Sequence, residues 1–370
     1  MIPITEPREK IGVLLINFGE PREPTLGGVN AYLERIFLQN RDLEGLVDEQ
    51  AVERAQALAE ARAPGLLEDY GRMGGSPLNA QADAQAEELQ RELLARGWDV
   101  RAYSAFQFTS PSLSSKLSEA RADGVEALVV LPVYPICGRS TSVAALEGVA
   151  RALDQSGWGP RVVGVSGWHD HTAYASFRSD HIRSFVEGRG LDLDDPETLL
   201  YFSVHGTPVK YLAEGNRYDR YVEEHCSRIA GLLKADRYTV GFQNHTNRKV
   251  EWTQPDNEDR IAQLPERRLV VVPIAFMHEQ SETLVELDGE LRDFVEGRGK
   301  EFHRVPVPHD DPRFATFLAD LVTEAFEAAE GADNSLSSCR CHQASGIWCT
   351  NGDRDLPPSP YIPSPKADAQ

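Results

Sequence analysis

Short, wholly apolar runs alternating with longer amphipathic stretches most tightly limit what this chain can fold into. The runs are IGVLLIN at 11–17, ALVVLPV at 127–133, RVVGV at 161–165, LLYFSV at 199–204 and RLVVVPIAF at 268–276. They lack the alternating polar residues of a half-exposed strand, so each must be covered on both faces. Helical patterns lie between and around them at 80–95, 142–154, 172–186, 217–233 and 312–328. Buried strands interleaved with helices give an α/β fold with parallel sheets. A chain of 370 residues exceeds one core, so two domains of similar size are expected. The polar run GRGLDLDDPE at 188–197 is the best crossing, which sets an N-terminal α/β domain at 1–190 and a C-terminal one at 191–330. Residues 331–370 lose all periodicity and read as a cysteine-rich extension ending in a disordered tail.

A formal net charge of -20 excludes the basic surface that nucleic acid requires. No run approaches the roughly 18 apolar residues of a membrane span, and the first residues lack the apolar region and cleavage site of a secretory signal. A cytoplasmic location is expected. RDLEGLVDEQAVERAQALAEARAPG reads as a charged amphipathic helix, consistent with transient rather than stable membrane contact.

In parallel sheets ligands gather outside the carboxyl ends of strands. That rule selects His205 in VHGTP, whose imidazole, neutral near pH 7, is a candidate proton acceptor. It also selects MHEQSETLVELDGEL, where Glu279, Glu282, Glu286 and Glu290 recur at spacings of three, four and four, one acidic stripe on a helix. Repelling carboxylates at such spacings need solvent or a cation, and the stripe begins right after a buried-type strand. Cys339, Cys341 and Cys349 form a C-x-C-x7-C array, with Cys137 far upstream. Thiolates so crowded point to zinc, with His342 as a fourth ligand, or to an iron–sulfur cluster. Cys226 reads as a core residue.

Together LLINFGEP, YGRMGGSPLNAQ, LPVYPICGRSTS, LLYFSVHGTPVKYLAEGNRY and VVVPIAFMHEQSETLVELDGEL resemble the ferrochelatase family, nearly collinearly from about residue 11 to 328. The resemblance implies two Rossmann-like domains, the chelatase fold, with a porphyrin in a cleft between them and ferrous iron as the second substrate. It implies that His205 and Glu282 form the catalytic pair, with Glu286 and Glu290 on the metal path and a π-type distortion in their helix. Phe18, Tyr70, Arg72, Ser76, Gln107 and Trp252 match substrate-lining positions, beside Pro77. It further implies a 2Fe-2S cluster on Cys137, Cys339, Cys341 and Cys349. Gln280 stands where relatives often carry histidine, and Gln107 where they carry arginine.

The implied mechanism bends the macrocycle to expose its nitrogens, His205 relays pyrrole protons, and the carboxylates deliver iron. Ligation of the metal by His205 itself is a variant. Phe18, where coproporphyrin users carry tyrosine, favours protoporphyrin IX over coproporphyrin III. The rival readings are a cobalt or nickel chelatase, whose members tend to be shorter or to carry paired histidines and lack the HGTP…ETLxELD combination, and a non-catalytic haem or iron–sulfur sensor on the same scaffold.

Overall fold

The computed structural model describes residues 9–245, 250–329, 336, 346–351 and 359–362. Two compact units share the chain discontinuously. The first takes Met1–Glu20, Leu78–Trp168 and His309–Asp353, and the second Pro21–Pro77, His169–Pro308 and Arg354–Gln370.

In the first unit, β1 (Ile11–Asn17), β2 (Val100–Phe106), β3 (Ala127–Pro132), β4 (Arg161–Val165) and β9 (Ile347–Trp348) form a parallel sheet of order β2-β1-β3-β4-β9. Its helices are α3 (Leu78–Ala95), α4 (Leu113–Ala122), α5 (Ala144–Ser156) and α11 (Pro312–Ala328). Leu14, Ile16, Leu128 and Val130 lock with Leu146 and Val149 of α5 into one core. Full burial of such side chains stabilises by roughly 1.5–3 kcal/mol each.

In the second unit, β5 (Thr198–His205), β6 (Tyr238–Gln243), β7 (Arg268–Pro273) and β8 (Glu301–Arg304) form a parallel sheet of order β6-β5-β7-β8. The chain leaves β5 toward one neighbour, β6, and returns on its other side as β7, which makes the carboxyl end of β5 a switch point. The unit also holds α1 (Leu26–Gln39), α2 (Asp48–Met73), α6 (Thr172–Gly188), α7 (Val209–Ala213), α8 (Tyr218–Leu233), α9 (Asn257–Ile261) and α10 (Arg292–Glu296). A π-helix spans Glu282–Leu291.

The units divide the chain elsewhere than at residue 190. Helix α6 belongs to the second unit, because it packs on α8 and stacks Tyr174 on His225 at 5.4 Å. Helix α11 returns to the first, where Phe317 lies 5.4 Å from Trp168. A polar run marks exposed chain and carries no information about which sheet a helix covers. The extension also differs from an unstructured tail where it is described. Ile347 and Trp348 extend the first sheet beside Gly164 and Val165, and Tyr361 is buried in the second unit. No helix among the described residues is long and apolar enough to cross a membrane.

Candidate active site

Three strands of the second unit end at one place. His205 closes β5, Gln243 closes β6 in register with it, and the π-helix follows the turn after β7. Gly206 serves close approach, since a methyl there would lie 1.8 Å from Asn244 Oδ1.

The His205 Nδ1–H donates to the Gly206 carbonyl at 2.6 Å, which aims Nε2 outward. That Nε2 lies 3.1 Å from Glu282 Oε1 and 3.0 Å from His245 Nε2, and His245 Nε2 lies 3.7 Å from the same oxygen. The three donor atoms lie within 4.8 Å of one another, the one such trio among the described residues. Two imidazoles and a carboxylate are a donor set for zinc or for ferrous iron with open coordination positions. The other Glu282 oxygen accepts from the Gln280 amide at 2.5 Å, so the residue in the place of a familiar histidine fixes the carboxylate and cannot itself titrate.

Burial opposes the charged form of His205, but the Glu282 carboxylate and the Gly206 carbonyl outweigh it and push the imidazole up to about 9. The neutral imidazole expected near pH 7 is therefore corrected: beside ionised Glu282, His205 keeps its proton. Burial likewise works to raise Glu282, yet His205 and then His245 hold it well below the usual carboxylate range. Burial, then repulsion from Glu282, raises Glu286. The amide of Gln243 donates to the main-chain carbonyl of Glu282 at 3.0 Å and to Glu286 Oε2 at 3.1 Å, which holds Glu286 against the start of the π-helix. Its own oxygen accepts from Ser203, which accepts from Asn257.

The acidic stripe is shorter than its spacing indicates. Glu279 precedes the helix and is buried against Arg304, which also holds Asp288, so it ties the helix to β8 instead of facing a cation. Leu287 and Leu291 anchor the π-helix in the core, while Glu282 and Glu286 are half-buried and Glu290 is exposed.

The family model for ferrochelatase matches residues 10–326. A ferrochelatase of Picosynechococcus sp. is 33% identical over 86% of this chain and 83% of its own. The chain belongs to the ferrochelatase family. Ferrochelatase-2, chloroplastic, of Arabidopsis thaliana is 32% identical over 85% of this chain and 63% of its own. Among solved structures, SirB from Bacillus subtilis with Fe3+ superposes with a TM-score of 0.51 at 11% identity, over 87% of this chain and 98% of that one. At that identity the likeness shows the shared chelatase fold alone.

The other positions expected to line a substrate divide between the units. Trp252 is at the trio, its ring 6.3 Å from His205 and 5.7 Å from His245, with a buried Nε1 that lacks a hydrogen-bond partner. Tyr70, Arg72 and Ser76 lie on or just after α2, which packs on the π-helix. Tyr70 is buried, while exposed Arg72 pairs with Asp69 and feels the charge of Glu290. Phe18 and Gln107 sit side by side in the first unit, just beyond β1 and β2. The Phe18 ring lies 4.4 Å from Phe108, and Gln107 Oε1 accepts from Tyr134 at 2.6 Å, leaving its buried Nε2 unpartnered. Of the cysteines expected to hold a cluster, Cys137 is buried and Cys349 partly so, whereas Cys339 and Cys341 lie outside the described residues.

Proposed function

We propose that this chain inserts ferrous iron into a porphyrin, with His205, His245 and Glu282 as the station through which the ion passes. The trio carries the reading, because a porphyrin must give up two protons as it takes a dication. Two imidazoles and a carboxylate can perform the reverse exchange. The ion displaces the His205 proton on arrival, and as it leaves the vacated His205 nitrogen accepts one pyrrole proton while the other passes to solvent by way of the carboxylates. Glu286, raised toward its protonated form beside Glu282, passes protons outward to exposed Glu290. Trp252, edge-on to both imidazoles, offers a flat face and an unpaired N–H to the macrocycle. Anaerobic incubation of the purified protein with ferrous iron and a porphyrin, followed by absorbance, tests the reading. Absence of the metalloporphyrin spectrum contradicts it.

The histidine pair also fits a second reading. Paired histidines were the expected mark of a cobalt or nickel chelatase, and His205 and His245 are such a pair. That mark no longer separates the two readings, so the same assay run with cobalt and nickel ions decides between them.

For the porphyrin, Phe18 and Gln107 support protoporphyrin IX. Phenylalanine offers no oxygen to a metal, and Gln107 offers a neutral amide NH2 where a guanidinium would hold a carboxylate through two charge-assisted bonds. Each further propionate needs such an anchor. Protoporphyrin IX is expected to have the higher kcat/KM in parallel initial-rate measurements. A clear preference for coproporphyrin III overturns the argument.

The tail cysteines support a 2Fe-2S cluster in the first unit. Strand β9 brings Cys349 alongside Ser166 and Gly167, since Ser166 N–H donates to the Trp348 carbonyl and Thr350 N–H to the Gly167 carbonyl, both at 2.9 Å. Ser166 Oγ lies 3.1 Å from Cys137 Sγ. Cys137 and the backbone flanking Cys349 thus both adjoin Ser166, which supports a shared metal group there. Bound by Cys137, Cys339, Cys341 and Cys349, the cluster would crosslink the extension to that edge. The isolated protein is expected to be red-brown with acid-labile sulfide, and Cys137→Ser to be colourless and less stable. Stoichiometric zinc without sulfide contradicts the cluster.

A further inference from the structure

The segment 243–254 carries Gln243, His245 and Trp252, and its two ends are knit at the base. Phe242 N–H donates to the Pro255 carbonyl at 3.0 Å, and the Asn244 amide to the Thr253 carbonyl at 2.9 Å. Behind that base sits Tyr361, only 8% exposed although it lies in a stretch of sequence without periodicity. Its ring meets Phe242 edge-on at 5.1 Å, its carbonyl accepts from Gln254 N–H at 2.9 Å, and its hydroxyl donates to Glu223 on α8. One residue from the far end of the chain therefore braces both ends of the segment: Phe242 directly before Gln243, and Gln254 two residues after Trp252.

We propose that Tyr361 is a positioning residue, a clamp that holds the limb bearing His245 and Trp252 in register with His205 and Glu282. The inference rests on the reading of the trio as the metal station. The register matters because the trio draws one ligand from this limb and two from other elements, so a shift of the limb alone pulls the donor set apart. Displacements of about 1 Å in such constellations cost up to a hundredfold. Tyr361 suits the task, since its rigid ring fills the space behind Phe242 while its hydroxyl reaches a fixed carboxylate.

The test compares Tyr361→Ala, Tyr361→Leu and Tyr361→Phe in the full chain. Two quantities are read: cobalt(II) affinity without porphyrin, and kcat and KM for ferrous iron. Tyr361→Ala is expected to weaken cobalt binding and raise the KM for iron about tenfold, by analogy with the loss of groups that orient metal ligands. Tyr361→Phe keeps the ring and the backbone bond and should restore most of both. In a His245→Ala background, where the limb no longer supplies a ligand, Tyr361→Ala should weaken cobalt binding little further. Cobalt affinity within twofold of the parent in Tyr361→Ala overturns the clamp, as does a full additional loss on the His245→Ala background. Should the alanine variant not fold, Tyr361→Leu is judged by the same limits. A parent that binds cobalt but inserts no iron defeats the functional reading, while the cobalt comparison still decides the clamp.

Discussion

Replacing Glu282 by glutamine is expected to lower iron insertion at least about a hundredfold, the usual scale for a group that handles a proton or charge at the reacting centre. Glu282 is the one member of the trio that meets both imidazoles through a single oxygen. The amide keeps the shape but removes the charge that draws the ion and holds His205 protonated. Its side chain retains 22% of its exposure, so the fold should survive. Glu286→Gln should cost less, because Glu286 is not a member of the trio, and Glu290→Gln least, because it is exposed. Initial rates at saturating porphyrin with varied iron check the order. Equal and negligible effects of all three changes would return the carboxylates to an ordinary solvated face.

His205→Ala is expected to abolish insertion to a similar degree while porphyrin binding persists, since the side chain stands at a strand end with 32% of its surface exposed. A second readout separates its electrostatic role from its shape. With its pKa raised from 6.5 to about 9 by folding, His205 contributes stability that is fully present below pH 6.5 and lost as pH rises through 9. Melting temperatures of the metal-free protein should therefore fall between those limits in the parent, and less so in His205→Ala. Near-normal turnover in the variant would remove His205 from the mechanism.

The strands buried on both faces were legible in the sequence: β1 and β4 keep the bounds of their apolar runs, and α11 those of its helical pattern. Strands β2, β6 and β8 were not, because Arg101, Gly241 and the charged ends of Glu301–Arg304 interrupt the apolar signal. Missing β6 hid His245. The strand-end rule that selected His205 also selects the residues after YTVGFQ, had that run been read as a strand. Glu279 differs for another reason: its spacing fits a helix, but the helix starts at Glu282, and only the fold reveals Arg304 as its partner. Tyr361 had no local signal, since its burial depends wholly on Phe242, Gln254 and Glu223, which lie over a hundred residues away.

The most direct test of the metal station is an anaerobic cobalt(II) titration of the protein without porphyrin, for the parent and for Glu282→Gln, His205→Ala and His245→Ala. One ion per trio is predicted for the parent, with affinity rising as pH approaches 9 and the His205 proton leaves, and with each substitution weakening it at least about tenfold. A parent that binds no ion at this site, or variants that bind as tightly as the parent, would contradict the account.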